Sequence, residues 1–105
     1  MKTDSFKDHV LDSLRALDGL EGRAMFGGHG LYCGKSFFGI LFKGVLYFKV
    51  SAATKPEYER QGMKPFQPSR TQTLKNFYEV PADSVENTAE LLRSAREAIQ
   101  ADHAK

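Results

Sequence analysis

The chain has 105 residues, 41% of them hydrophobic and 27% charged, with a formal net charge of +2 and one cysteine, Cys33. That length sets a single domain, residues 1–105, and the composition is that of a globular protein rather than a disordered one. A lone cysteine excludes an intramolecular disulfide and a cysteine-rich metal site. No apolar run approaches the ~20 residues of a membrane span, and Met1-Lys2-Thr3-Asp4-Ser5 has no signal-peptide core, so a cytoplasmic setting with no membrane role is expected.

The first segment reads as a helix. Phe6, Val10, Leu14 and Leu17 form one apolar stripe with Leu11 beside it, while Lys7, Asp8, Asp12 and Arg15 lie mainly outside it. Asp4 or Ser5 is expected to cap its start, and Gly19 to stop it.

Residues 24–50 lose that period. Six glycines (27, 28, 30, 34, 39 and 44) alternate with aromatic and β-branched residues, predicting strands over about 24–33, 36–43 and 45–51. Gly34-Lys35 and Lys43-Gly44 are the expected hairpin turns, because glycine accepts positive φ.

Lys55 to Gln61 predicts a short helix, with Pro56 in its first turn and Gly62 after its end. Pro65 and Pro68 confine 63–69 to an edge strand or an irregular crossing. Leu74 to Val80 is the next strand, stopped by Pro81. A final helix follows, with Asp83 and Glu86 as a capping-box-like pair and Val85, Ala89, Leu92, Ala95 and Ile99 on one face. Arg93 and Glu97 form an i,i+4 pair on its wet side.

The expected fold is therefore α+β: a two-layer α/β sandwich in α-β(3)-α-β(2)-α order, with helices on one face of a mostly antiparallel sheet. The second strand is anomalous. Phe37, Phe38, Gly39, Ile40, Leu41 and Phe42 are apolar on both faces, so each face needs cover. Either another part of the chain folds over the second face or a second chain does, and a homodimer is the expected assembly.

Charge is uneven along the chain. Residues 22–80 hold nine Lys/Arg against three acids, while 1–21 and 81–105 each hold three bases and five acids. Tyr32, Tyr47 and Phe77 with Lys35, Lys49 and Lys75 could form a sheet surface that stacks bases and neutralises phosphates. The competing reading is solubilising lysines at turns and edges.

No catalytic or metal signature stands out. The glycine run at 27–34 fails the dinucleotide fingerprint, since Cys33 occupies the third glycine position. It also fails the P-loop pattern, since His29 stands where the opening glycine belongs. These glycines fit a bulge or a close approach within a sheet instead. His29 and Cys33 share a strand face, but no acid is at hand to complete a triad. His9 and His103 sit on separate helices without metal-ligand spacing.

Arg23-Ala24-Met25-Phe26-Gly27-Gly28-His29-Gly30-Leu31-Tyr32 resembles the R-x-M-F-G-G-x-G-L-Y hallmark of TfoX/Sxy N-terminal domains. Leu46-Tyr47-Phe48-Lys49-Val50, Gly62-Met63-Lys64-Pro65-Phe66 and Phe77-Tyr78-Glu79-Val80-Pro81 resemble further blocks of that family in the same order. The resemblance implies the α-β(3)-α-β(2)-α fold, similar to that of secretion-chaperone-like domains. It also implies a role in regulating natural competence, which the founding type performs as a transcriptional coactivator alongside the cAMP receptor protein. Such proteins carry a second, helical domain; here the sequence runs only to Lys105, just past the last predicted helix, so that domain is not expected.

The resemblance implies no catalytic residue and no cofactor. The leading expectation is thus a non-enzymatic interaction module with a transcription-related protein partner, and the alternative is a nucleic-acid-binding module. The expected interaction residues are Arg23, Met25, Phe26, Gly27, Gly28, His29, Tyr32, Tyr47 and Lys49.

Overall fold

The first apolar stripe forms α1 (Lys2–Ser13) in the computed structural model, which describes residues 2–25 and 27–103. Its regular turns stop at Ser13, short of Gly19. The apolar period outlasts them, because Leu14 and Leu17 continue in tight turns and stay buried, with the Leu17 N–H donating to the Leu14 carbonyl at 2.9 Å. Asp4 and Ser5 lie inside the helix and not at its cap.

The elements that follow are β1 (Leu20–Met25), β2 (Gly28–Cys33), β3 (Ser36–Phe42), β4 (Val45–Lys49), α2 (Lys55–Arg60), β5 (Pro65–Ser69), β6 (Gln72–Glu79), α3 (Ala82–Val85) and α4 (Thr88–His103). One sheet runs in the order β1-β2-β3-β4-β6-β5, with every neighbour antiparallel. The α+β sandwich is as expected, with two corrections to the order.

The strand expected over 24–33 is two strands. Gly27, at φ +82°, sits in the turn between them and lets the chain reverse there. The expected single last helix is also two. Helix α3 ends at Val85 with Glu86 as its C-cap, and Asn87 then starts α4 by accepting the Glu90 N–H on its side-chain oxygen at 3.0 Å. Asp83 and Glu86 belong to that short first piece, whose N-cap position, Pro81, offers no side-chain cap.

The hairpin turns fall where glycine allowed them: Gly34 has φ +64°, while Lys43 and Gly44 have φ +53° and +76°.

Strand β3 is covered on both sides within the chain. Its register with β2 steps from Leu31 opposite Gly39 to Tyr32 opposite Phe37, leaving Phe38 as the extra residue of a bulge. Phe38 and Leu41 join Val10, Leu14, Leu31, Leu46, Phe48, Val80, Leu91, Ala95 and Ala98 in the main core under α1 and α4. Gly39 makes room there, since a Cβ would lie 3.1 Å from Leu31 and 3.2 Å from Phe48.

On the other face, Ile40 joins Phe66 and Phe77, with Phe37, Phe42, Tyr47 and Leu74 around them. The β5–β6 hairpin supplies this cover, its Phe66 ring lying 4.7 Å from Tyr47 and 5.3 Å from Phe42. The apolar second face of β3 therefore does not itself demand a second chain.

Candidate interaction surface

The glycine-rich segment folds as the outer hairpin of the sheet. Two of its glycines are there for lack of space. A Cβ on Gly28 would sit 2.1 Å from the Leu41 carbonyl oxygen, which no side chain can do. A Cβ on Gly30 would sit 2.8 Å from the Met25 sulfur and 3.1 Å from the rings of Tyr32 and Phe37. Gly30 is thus the floor over which Met25, Tyr32 and Phe37 close together. Tyr32 and Phe37 stack at 5.0 Å between ring centres.

Above that floor lies a charged layer. The Arg23 guanidinium stands 4.5 Å over the Tyr32 ring and pairs with Glu21 at 3.1 Å. The Arg23 and Glu21 side chains stay 55% and 57% exposed. The face of the β1–β2 hairpin thus presents a cation, an anion, an aromatic ring and a thioether side by side.

Of the expected interaction residues, the structure brings Arg23, Met25 and Tyr32 together, with Gly27 in the adjoining turn and Gly28 next to it. Phe26 lies outside the described residues. His29 pairs with Ala24 and Leu41 in register, so its side chain is on the helix side, and it is half-buried. Four residues of extended chain put Cys33 about 13 Å from it, and the Cys33 thiol donates to the Asp18 carbonyl at 2.8 Å. Those two residues form no dyad.

Tyr47 and Lys49 stand apart from the hairpin. Tyr47 packs on Phe66, and burial together with the nearby Glu79 charge raises its phenol above the ordinary value. The Lys49 ammonium pairs with Asp102 of α4 at 2.6 Å, the two side chains being 10% and 15% exposed. Phe77 is 4% exposed. Phe77 and Lys49 are therefore withdrawn from any open surface on which nucleic-acid bases could stack.

What sequence reasoning missed was β1 itself, and with it Glu21. The only signal was the Gly27-Gly28 pair as a turn inside what reads as one long strand. It also missed the pinning of the α4 end, where His103 meets the Ser36 hydroxyl beside the Lys49–Asp102 pair.

Two of the concavities elsewhere differ in character. A polar cleft of about 560 Å³ between α2 and the α3–α4 pair contains Glu57, Tyr58, Asp83, Glu90, Arg93 and Glu97. Its Arg93 is clamped by Glu90 at 2.8 Å and Glu97 at 2.9 Å, and this raises the guanidinium pKa further. A recess of about 230 Å³ is lined by Phe42, Pro68, Gln72 and Leu74. Among the described residues, no three His, Cys, Asp or Glu side chains gather to hold a metal ion, and no helix is long and apolar enough to cross a membrane.

No curated protein matches the chain. The model of the TfoX N-terminal domain matches residues 12–102, which takes in the whole sheet and nearly all of α4. The chain belongs to the TfoX N-terminal domain family.

Proposed function

We propose that the chain is a non-enzymatic, cytoplasmic regulatory module that acts on competence by binding a transcription-related protein through the face of its β1–β2 hairpin. Family membership points to a competence-related regulatory role. The observation that carries the binding surface is the exposed Arg23 guanidinium held 4.5 Å over Tyr32, beside Met25. Arginine and tyrosine are among the side chains that most often dominate binding energy. Here the stack holds the guanidinium in place, which lowers the entropy lost on association.

A competence-gene reporter tests this reading. Expression of the chain should change reporter output. The Arg23→Ala/Tyr32→Ala double variant should abolish that change while its melting curve still shows a folded protein. A reporter that does not respond to the unaltered chain sinks the proposal.

A further inference from the structure

The sheet has two open edges, and the sequence treats them differently. Edge strand β5 carries Pro65 and Pro68 and pairs with β6 in a twice-interrupted register. Proline has no N–H to offer an incoming strand, so that edge is blunted. Edge strand β1 carries no proline and pairs with β2 without a register shift over its full length. Among the described residues only β2 pairs with it. Such an edge is a template for a further strand.

One bond fixes which groups point outward. The Gly34 N–H donates to the Gly19 carbonyl at 3.2 Å, so Gly19 and Gly34 form a hydrogen-bonded pair at the end of the β1–β2 ladder. Strict alternation then turns the main-chain groups of Glu21, Arg23 and Met25 toward β2. Those of Leu20, Gly22 and Ala24 face away from the sheet.

A second β1 running antiparallel can meet those outward groups in only a few registers. Centred on Glu21, the pairing sets glutamate against glutamate; centred on Arg23, it sets arginine against arginine. Centred on Gly22, it sets each Glu21 opposite the partner's Arg23. Opposite charges directly across a ladder are favourable and like charges are not. The charged pairs would fall at the non-hydrogen-bonded positions, where side chains stand closest. Because Glu21 and Arg23 already pair at 3.1 Å within one chain, the four groups would close into a ring of alternating charge. Glycine at the axis brings no side chains to collide.

The geometry points to a homodimer in which β1 of two copies pairs antiparallel about Gly22, joining two six-stranded sheets into one. The Gly22 pair exchanges two main-chain hydrogen bonds, and each flanking Leu20–Ala24 pair exchanges two more. The contact is small, so the dimer is weak, with a dissociation constant on the order of tens of micromolar. This goes beyond the regulatory reading. A monomeric mass would defeat the dimer and leave the reporter response intact, whereas a silent reporter says nothing about mass.

Sedimentation equilibrium from about 5 to 500 μM tests it. The unaltered chain should pass from monomer to dimer across that range. Glu21→Arg and Arg23→Glu, each at an exposed side chain, should weaken association about tenfold or more. Mixing the two single variants should restore association as a heterodimer, a rescue the intrachain Glu21–Arg23 pair cannot produce, because each chain then carries like charges at 21 and 23 and finds opposite ones only across the ladder. Gly22→Pro removes an outward N–H and should abolish the dimer while β2 pairing persists, as checked by circular dichroism. A chain monomeric at 500 μM overturns the proposal and leaves the edge to an extended segment of another protein. A dimer indifferent to both Gly22→Pro and the charge reversals overturns it as well.

Discussion

The two faces of the sheet are closed by different means. Helices α1 and α4 close one face over an aliphatic core of fully buried Val10, Leu14, Leu31, Leu46 and Leu91, with Phe38 and Phe48 at its centre. A β-hairpin closes the other with aromatic rings, and several of these stay half-buried: Phe37, Phe42 and Tyr47. The helix layer is also tied down by the Lys49–Asp102 pair and by the Ser36–His103 contact. The hairpin layer rests on ring packing between Phe66, Tyr47 and Phe42 and between Phe37 and Phe77. A strand that is apolar on both sides can thus be satisfied by one deep core and one thin aromatic cover, without recruiting another molecule.

Truncating one ring on each face tests that contrast most directly. Phe38→Ala, under the helices, should cost about 4 kcal/mol, the largest of these effects, because the close-packed core around it, held at the end of α4 by the Lys49–Asp102 and Ser36–His103 contacts, resists collapse into the cavity. Phe66→Ala should cost about 3 kcal/mol and act locally. Amide exchange should accelerate in β5 and in residues 72–74 of β6 well before it does in α4. Urea titrations give the totals, and uniform exchange across both faces after Phe66→Ala would erase the distinction.

The ion pair comes next. Lys49→Met removes one partner of a nearly buried pair and leaves Asp102 without that ammonium, so a loss of about 2–3 kcal/mol is expected by denaturant melting. Loss of protection should concentrate in the last turns of α4, and the hairpin face should be spared. Equal loosening of β5 would show that the two layers are coupled.

The smallest effect belongs to the margin of the helix layer, where α2 places Tyr58 against Tyr78 and Val50. Burial, reinforced by the Glu97 charge, pushes the Tyr58 phenol up to about 12. A raised value means that the folded state holds the proton more tightly than the unfolded state, whose phenol titrates near its ordinary value of 10.0. The resulting stability is fully present below pH 10 and fades as pH climbs toward 12, for a total of about 2 kcal/mol. Alkaline melts of the unaltered chain against Tyr58→Phe check this, since the variant should lose less stability across that window.

Much of this architecture was legible in the sequence, for reasons that differ by element. The stripes of α1 and α4, the strands β3 and β4 and the turns at Gly34 and Gly44 follow from side-chain period and positive-φ glycines. These are local properties. Strand β1 was not legible, because Glu21, Gly22, Arg23 and Ala24 are all exposed and show no alternation; only pairing with β2 makes Leu20–Met25 a strand. The interruption at Asn87 was hidden by an apolar period that runs through it. For the candidate surface, the Arg23–Tyr32 segment was visible as a motif, but the grouping of Met25, Tyr32 and Phe37 over Gly30 depends on a hairpin the sequence presents as one strand. Lys49 reads as an available cation until Asp102, distant in sequence, arrives beside it.

The meeting of His103 with Ser36 puts the last turn of α4 against the start of β3, next to the turn at Gly34-Lys35. A fluorophore placed on the last described turn of α4 will therefore sit at the same end of the sheet as that loop. It will report on the same end of the sheet as a label on Lys35, and it will stay clear of the Gly27 turn at the opposite end of β2.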